Sequence, residues 1–331
     1  MVDCVVCSEV TWSVGWFGME WVEMGVLSVF FFKQKTAYEV LRSLVGSEMC
    51  IRDRPMALHL SEGAVHTVQT PSSYIGYRAL RGMDGKRTLK PMPKDAIVYT
   101  GHYVDHELVA NIEEDCLRRM ERVHRGEQRR WLLTVGGAGA QRKLFIGIIR
   151  RFLIDLRHNR AVLMINVGDH LDVWREIQKA VPEMEPFVHE HLDDFDETRK
   201  FCKEAYNGHI DGIHVFFHRD IFAAVYSTNM LMRMTDVLIT KPGELSFYPV
   251  PKLMIKRVGG HEAWGAIRSA EVGDGTYECS AAAEISAMIG LIQSDGDVLE
   301  QMCSHIMTAK NAGIYDGAYR VVEQAVKNME K

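Results

Sequence analysis

Strand and helix patterns alternate over most of the chain, and this alternation is the feature that most restricts its fold. Apolar runs with the length of buried strands, such as 131–135 and 161–167, are each followed by a helical pattern of about ten to sixteen residues. Strands separated by such helices pair in parallel, because each crossover returns the chain in the same direction. The sequence therefore predicts an α/β fold with a Rossmann-like parallel sheet flanked by helices.

The same pattern predicts where each element begins and ends. A short strand is expected at 64–69, and a strand that runs into a loop at 95–104. The later strands are predicted at 131–135, 161–167, 212–217 and 236–240, with a short apolar run at 187–191. Helices are predicted at 105–124, 141–156, 171–180, 196–206, 221–233, 281–293, 297–311 and 317–329.

Composition excludes several classes of protein. Of the 331 residues, 47% are hydrophobic and 25% are charged, which is typical of a globular protein. A formal net charge of -5 gives no overall attraction to nucleic acid. The seven cysteines are irregularly spaced and indicate a reducing cytoplasm rather than a disulfide framework. The apolar run 25–32 is too short to span a bilayer.

The segment 30–54 resembles a translated sequencing-library adapter rather than any protein family. Residues 33–39 match one frame of a common flow-cell primer, and 43–54 match a transposase-end adapter. Segments of this kind are left out of an argument about the fold. We therefore expect 1–54 to be non-native and the natural chain to resume near Pro55.

A glycine-rich loop joins the strand at 131–135 to its helix. It places small residues where backbone N–H groups can approach a phosphate: Gly136, Gly137, Ala138 and Gly139. The loop fits a dinucleotide fingerprint poorly, because Arg142 takes the place of the third glycine and no acid follows at the ribose distance. Contact with the diphosphate of a sugar nucleotide is the favoured interpretation, and NAD binding or a plain tight turn are the alternatives.

Two later turns are candidates for ligand binding, because open α/β sheets bind ligands beyond the carboxyl ends of their strands. The run DVLITKPGE (236–244) is a buried strand that ends in Lys241, Pro242, Gly243 and Glu244. The run VGGHEAWGAIR (258–268) opens a helix, and its first turn contains Gly260, His261 and Glu262.

These motifs resemble those of a GT-B glycosyltransferase superfamily. It includes the processive diacylglycerol glucosyltransferases, the galactolipid synthases and the N-acetylglucosaminyltransferase that completes lipid II. ITKPG (239–243) resembles their donor-site turn, and GGHEAWGA (259–266) resembles their GQExxNA motif. The stretch 213–243 resembles their strand, uracil-contacting turn, helix and donor-site strand, while TGHYV (100–104) resembles the interdomain TGxPV. The similarity covers about 97–275 in ordered pieces.

The resemblance implies a role for each of these residues. The backbone around Phe217 and His218 would hold uracil, and the loop 136–140 would face the diphosphate, with Lys241 neutralising its charge. His261 and Glu262 would lie near the donor sugar. The segment after the KPG turn is shorter than in the superfamily, so Glu244 is the remaining candidate for the ribose carboxylate.

The resemblance also implies how the whole chain would work. Residues 55–105 would be the remnant of an N-terminal domain with the hinge, and 106–331 the nucleotide-sugar-binding domain. A UDP-sugar would be the substrate, with no tightly bound cofactor and no metal. The superfamily takes its catalytic base from the acceptor-binding domain, which is largely missing here, so we expect a fragment that binds UDP without turning it over.

Two other functions remain open at this point. One is a GT-B sugar-nucleotide epimerase, with His261 and Glu262 as its pair of acid–base groups. The other is a non-catalytic Rossmann-like binding protein, which the shortened segment after the KPG turn favours.

Two charged clusters lie outside these motifs. The first has the residue types of a divalent metal site, but a capped helix N-terminus also explains it: His189, His191, Asp193, Asp194 and Asp196. The second is a basic helix end that can attract anionic lipid head groups at about 1 kcal/mol per charge: Arg118, Arg119, Arg122 and Arg125, followed by Arg129 and Arg130. A solvated helix is the favoured explanation of this basic end, and a cytoplasmic protein with peripheral membrane contact is the alternative.

Overall fold

A computed structural model describes residues 65–79, 92–135 and 141–329 of the chain. The adapter-like segment 30–54 and the glycine-rich loop 136–140 lie outside these ranges. The described residues form two compact units. The larger unit spans His102–Asp316, and the smaller contains the described residues up to Gly101 and those from Gly317 onward. The boundary after Gly101 falls inside the TGHYV motif.

The smaller unit is built on two short parallel strands. Strand β1 (His66–Val68) pairs with strand β2 (Ile97–Tyr99). Helix α1 (Pro71–Ala79) follows β1 and begins with proline, whose fixed φ suits the first helical position. The sequence predicts no helix there, because Gly and Pro dominate the surrounding segment. A 3-10 helix (Lys94–Ala96) leads into β2, and the C-terminal helix Gly317–Met329 completes the unit.

The larger unit contains a six-stranded parallel sheet. In chain order its strands are β3 (Arg129–Thr134), β4 (Ala161–Asn166), β5 (Val188–Leu192), β6 (Ile213–Phe217), β7 (Val237–Thr240) and β8 (Lys252–Met254). Their order across the sheet is β5-β6-β4-β3-β7-β8, and every neighbouring pair is parallel. The predicted α/β fold with a Rossmann-like parallel sheet is confirmed.

Helices cover both faces of this sheet. They are α2 (His106–Ala110), α3 (Ile112–His124), α4 (Arg142–Arg157), α5 (Leu171–Ala180), α6 (Phe195–Asn207), α7 (Ile221–Met234), α8 (Ala263–Val272), α9 (Ala282–Ser294) and α10 (Asp297–Asn311). Short 3-10 helices occur at Pro182–Phe187, Glu244–Phe247 and Gly260–Glu262. No helix among the residues described here is long and apolar enough to cross a membrane.

Successive strand residues point to opposite faces, and both faces are buried. Trp131 and Leu133 of β3 join the core formed with α4, α5 and α9. Leu132, between them, joins the core on the other face, where α3, α7 and α10 pack. Burial on both faces is the usual condition of a parallel sheet and explains why its strands are continuously apolar.

The predicted single helix at 105–124 is wrong, since the structure has two helices there. Helix α2 ends at Ala110 and α3 begins at Ile112, with Asn111 between them. The backbone of Asn111 leaves the helical region at φ -110° and ψ 11°, and its side-chain amide donates to Glu107 O at 2.7 Å. A side-chain amide that bonds the backbone competes with the helical ladder, and this accounts for the break.

Four arginines of the predicted basic cluster are buried, which corrects the lipid-binding hypothesis for them: Arg119 and Arg122 on α3, and Arg129 and Arg130 on β3. Arg119 is 1% exposed and donates to Thr235 O and Met232 O at the end of α7. Arg122 is 7% exposed and donates twice to Asp236 Oδ1, at 2.9 and 2.6 Å. Both side chains hold α3 against the start of β7, so neither can reach a lipid head group.

Candidate functional site

The order of the strands fixes the place where a ligand can bind. The chain leaves β3 toward β4 on one side, and it later returns to form β7 on the other side of β3. Connections that diverge in this way leave a crevice beyond the carboxyl ends of the two strands, where open α/β sheets bind ligands. At these ends, Thr134 Oγ1 of β3 donates to Thr240 Oγ1 of β7 at 3.1 Å.

An ion pair lies directly after β7, at the same edge of the sheet. Lys241 follows β7 directly, and its Nζ donates to Glu262 Oε1. The two side chains are 13% and 7% exposed. Residues that are 21 positions apart in the chain therefore meet at the edge of the sheet. These are two of the residues that the sequence motifs single out.

Glu262 also organises the backbone in front of α8. Its Oε2 accepts from the N–H groups of Val258, at 2.7 Å, and Gly259, at 3.2 Å. Burial acts to raise the pKa of Glu262, but the hydrogen bonds from Lys241 and from Val258 outweigh it and lower the pKa. The carboxylate is therefore charged and satisfied by partners within the chain, which is the arrangement of a structural group.

The KPG turn lies against the first turn of α8. A Cβ placed on Gly265 would lie 2.6 Å from Pro242 O and 2.6 Å from Ser246 Oγ. Only a glycine allows the two backbones to approach so closely. Gly243 is the other glycine of the turn, and a Cβ there would lie 3.2 Å from Lys241 Nζ. The position of Lys241 thus depends on the packing of α8 as well as on its own strand.

Glu244, the candidate for the ribose carboxylate, is the first residue of the 3-10 helix Glu244–Phe247. Its side chain is half-buried. The helix ends before Tyr248, and the prolines that follow prevent it from continuing, as the sequence predicts. Glu244 thus lies three residues after Lys241 on the same loop, at the same edge of the sheet.

The predicted uracil contact lies at the end of β6. His218 N–H donates to Gly168 O at 3.0 Å, and Phe217 O accepts from Asp193 N at 2.7 Å. The His218 ring is 1% exposed and lies 3.2 Å from Thr198 Oγ1. The N–H of His218 already donates to Gly168 O. A uracil at this turn would therefore have to bind backbone carbonyl oxygens, which can accept a second hydrogen bond.

One further polar residue at this edge carries no role in the sequence motifs. Asn166 ends β4, donates to Thr228 Oγ1 at 2.7 Å and accepts from Gly168 N at 2.9 Å. It therefore fixes the loop between β4 and α5 next to the predicted uracil turn. A polar residue at the end of an otherwise apolar strand is the signal that could have identified it.

Several predicted site residues lie wholly or partly outside the described part of the structure. Gly136, Gly137, Ala138 and Gly139 lie outside the described residues. Gly260 and His261 lie in the 3-10 helix that precedes α8, and only the backbone of His261 is described. The role predicted for the His261 side chain stays a prediction.

The acid-rich segment 189–196 runs from strand β5 into the start of α6. Asp194 accepts from Glu197 N at 2.9 Å and caps α6, as the sequence predicts for a helix N-terminus. His191 Nδ1 lies 2.7 Å from Glu197 Oε1, and its Nε2 lies 3.0 Å from His214 Nδ1. Among the residues described, no group of three or more His, Cys, Asp or Glu side chains is arranged to hold a metal ion.

One family model matches a stretch of the sequence that contains the whole larger unit. Residues 92–326 match the model described as "Domain of unknown function (DUF6938)", which covers the whole sheet and every residue of the crevice. The chain belongs to this family. Residues 39–79 match a second model, "Domain of unknown function (DUF6937)". That match begins inside the adapter-like segment 30–54, whose origin stays a prediction. None of the curated proteins compared with the sequence matches it.

Solved structures similar to this member of the DUF6938 family include a glycosyltransferase and a UDP-GlcNAc 2-epimerase. One is WaaG, described as a glycosyltransferase involved in lipopolysaccharide biosynthesis, with 12% identity, a TM-score of 0.43, and coverage of 78% of this chain and 62% of that one. The Neisseria meningitidis UDP-GlcNAc 2-epimerase bound to UDP-GlcNAc has 12% identity, a TM-score of 0.44, and coverage of 71% and 57%.

A third similar structure is Anabaena HepE in complex with UDP and glucose, with 10% identity, a TM-score of 0.42, and coverage of 79% of this chain and 62% of that one. The chain thus spans less than two thirds of the length of each of these three proteins.

Proposed function

We propose that the larger unit is the donor-binding domain of a glycosyltransferase that uses a nucleotide-sugar, with a UDP-sugar as the donor. The observation that carries this proposal is the meeting of Lys241 and Glu262 at the crevice between β3 and β7. The motifs that contain these two residues resemble two donor-site motifs of the GT-B superfamily. The contact between Lys241 and Glu262 therefore joins the two motifs, which are separate in the sequence, at one edge of the sheet.

In this proposal Lys241 neutralises the leaving diphosphate, and its position supports that role. Departure of a nucleoside diphosphate needs positive charge close to the leaving phosphates. Lys241 is a cation at the sheet edge, held by a single carboxylate that could release it to a phosphate. The resemblance implies that the loop 136–140 would supply backbone N–H groups to the same diphosphate.

The reaction itself would be a substitution at the anomeric carbon of the donor sugar. The acceptor hydroxyl oxygen would form the new bond to this carbon, while the bond from the carbon to the diphosphate oxygen breaks and its electron pair leaves with the diphosphate. A base must take the acceptor proton. In the superfamily that this chain resembles, the base comes from the acceptor-binding domain, so we assign none to the residues described here.

A non-catalytic nucleotide-binding role is the second candidate, and the surroundings of Glu262 favour it. Both oxygens of this carboxylate already accept hydrogen bonds from within the chain, which suits a structural group that holds Lys241 and the backbone before α8 in place. In an epimerase this residue would have to exchange protons with the sugar, and its lowered pKa opposes that role.

Calorimetric titration of the full chain with UDP tests the proposal. We expect micromolar binding that weakens at least about tenfold, or 1.4 kcal/mol, in Lys241→Gln, because the phosphates lose their cation. Glu244→Ala should also weaken binding if this carboxylate holds the ribose. Lys200→Gln changes an exposed lysine on α6 and should leave UDP affinity as it is.

NAD serves as the control ligand and should produce no heat of binding. A folded chain that does not bind UDP, or that binds it equally well with Lys241→Gln, would remove the support for the donor site. UDP binding without sugar transfer fits both candidates, because the proposal assigns no catalytic base to the residues described. Transfer of a sugar from a UDP-sugar to an added acceptor would reject the non-catalytic candidate.

A further inference from the structure

A basic groove lies on the larger unit beside the crevice. It has a volume of about 1180 Å³ and is lined by the first turn of α4, the second half of α5, the residues after β8 and the start of α9. Five of its lining residues are cationic and one is acidic: Arg142, Lys143, Lys179, Lys256 and Arg257, with Glu176. The chain as a whole has a net charge of -5, so this local excess of positive charge is not a property of the general surface.

Ion pairs within the groove neutralise only part of this charge. Arg142 contacts Glu176, and Arg257 lies 3.4 Å from Glu278. The side chains of Lys143, Lys179 and Lys256 are exposed, and none of them forms an ion pair within the part of the chain that the structure describes. Three lysines thus face one groove without a neutralising carboxylate.

The cations at the start of α4 stand where the helix itself disfavours them. Arg142 and Lys143 occupy the first turn, which contains no acidic residue. The N-terminus of a helix carries partial positive charge, so a cation there is unfavourable by about 0.3–1 kcal/mol unless an anion lies close by. Glu176 supplies such an anion for Arg142, whereas Lys143 has none among the residues described. A bound anion would reverse this cost and would also accept from the backbone N–H groups of the turn.

A side-chain hydrogen bond holds the two basic segments together. Gln141 is the N-cap residue of α4, but its amide makes no cap and donates instead to Lys256 O. This bond ties the start of α4 to the chain just after β8. The basic pairs 142–143 and 256–257 are therefore fixed next to each other before any ligand arrives.

We propose that this groove is a second anion site that binds a phosphate-bearing ligand, separate from the nucleotide crevice. Phosphate suits the arrangement because lysine, arginine and helix N–H groups all donate to its oxygens. The groove has room for more than one phosphate group. None of its lining residues belongs to the Lys241–Glu262 pair, so the inference does not rest on the proposed glycosyltransferase function.

Titration of the full chain with inorganic tripolyphosphate at low ionic strength tests the site. We expect saturable binding that weakens as salt is added. The double variant Lys143→Gln/Lys256→Gln should lose at least about tenfold in affinity, or 1.4 kcal/mol. The matched control Lys200→Gln/Lys203→Gln removes two exposed lysines from α6 and should bind as the wild type does.

A second arm identifies the source of the phosphate. Recruitment to vesicles of phosphatidylcholine with phosphatidylglycerol, and not to phosphatidylcholine alone, would assign the groove to lipid head groups. Binding of tripolyphosphate without such recruitment would assign it to a soluble phosphorylated ligand. If the groove variant binds both probes as the wild type does, or if neither probe binds the wild type, the proposal is overturned.

A UDP titration of the groove variant separates this site from the crevice. Unchanged UDP affinity together with weaker tripolyphosphate binding is the expected result. A parallel loss of both would mean that the groove belongs to the nucleotide site, and the second site would be rejected. Loss of UDP binding in Lys241→Gln with tripolyphosphate binding intact bears on the crevice alone.

Discussion

His102 shows how burial determines the charge of one side chain. Its ring is 1% exposed and accepts from Arg268 Nε at Nε2, 3.0 Å away, so its proton lies on Nδ1, which donates to Phe247 O at 3.0 Å. Burial, together with the charge of Arg268, lowers the pKa of His102 from 6.5 to about 3. Between about pH 3 and pH 6.5, His102 is therefore neutral in the folded protein and protonated in the unfolded chain.

The direction of the pH effect follows from this lowered pKa. A group whose pKa is depressed by folding stabilises the protein above its unfolded pKa, and that stability is lost as the pH falls. We expect the free energy of unfolding in urea to decline from about pH 6.5 downward in the wild type, and to decline less steeply in His102→Gln. His158→Gln replaces an exposed histidine and should keep the wild-type slope. Parallel slopes for His102→Gln and the wild type would contradict this account.

At the same scale, the burial of Arg119 was missed, because the sequence analysis placed it in a solvated or lipid-facing helix end. Ile112, Cys116 and Arg119 follow a spacing of four and then three residues, which places them on one face of α3. Ile112 and Cys116 are apolar, and their place on the same helix face is the signal that could have indicated the burial of Arg119. No pattern shows that its guanidinium would reach Thr235 O, because this contact joins residues 116 positions apart.

At the scale of elements, the contact between the KPG turn and α8 is the most sensitive part of the site. Gly265→Ala would place a methyl group 2.6 Å from Pro242 O and Ser246 Oγ, so the turn or the helix must move. We expect a loss of about 1–3 kcal/mol in the free energy of unfolding, which is the usual cost of overpacking. UDP affinity should fall as well, because Lys241 is carried by the same turn.

Gly147→Ala is the matched control for this substitution. Gly147 lies inside α4, and a Cβ there would meet nothing within 4 Å. Alanine favours the helix over glycine by up to about 1 kcal/mol, so this variant should be as stable as the wild type or more so. The free energies of unfolding of Gly265→Ala and Gly147→Ala, measured in urea under the same conditions, test this prediction. If Gly265→Ala is as stable as Gly147→Ala, the close approach of the two backbones is not tight.

The elements that sequence located well are those with strong periodicity. Helix α5 is predicted at 171–180 and observed at Leu171–Ala180, because its buried residues repeat at helical spacing. The break at Asn111 was missed, since acidic and basic residues on both sides continue one amphipathic pattern. The strand β5, observed at Val188–Leu192, was predicted only as a short apolar run, because two of its five residues are histidines.

At the scale of the whole molecule, alternation of strands and helices was enough to predict a parallel sheet, but not the order of its strands. The edge position of β5 and the return of β7 to the side of β3 depend on packing between distant segments. The existence of a ligand crevice at one edge of the sheet could be predicted, because parallel strands have their carboxyl ends at the same edge. Which loops meet there could be inferred only from motifs whose order resembles that of a known superfamily.

The strand order makes a prediction about how stability is distributed through the larger unit. β3 and β4 are hydrogen-bonded on both sides, and eleven of their twelve residues are buried. β5 is an edge strand, and only one of its five residues is buried. Amides in central, buried strands exchange only when the whole unit unfolds, whereas edge amides also exchange through local opening.

Hydrogen exchange followed by mass spectrometry can test this distribution on the full chain. Peptides that cover β3 and β4 should exchange last, and peptides that cover β5 should exchange at least about tenfold faster, a difference of 1.4 kcal/mol or more in the free energy of opening. Small amounts of denaturant serve as the control, because they speed exchange through global unfolding and leave exchange through local opening nearly unchanged. Central amides should therefore respond to denaturant while those of β5 do not. Equal protection of β5 and β3, with the same response to denaturant, would show that the edge strand unfolds only with the whole sheet.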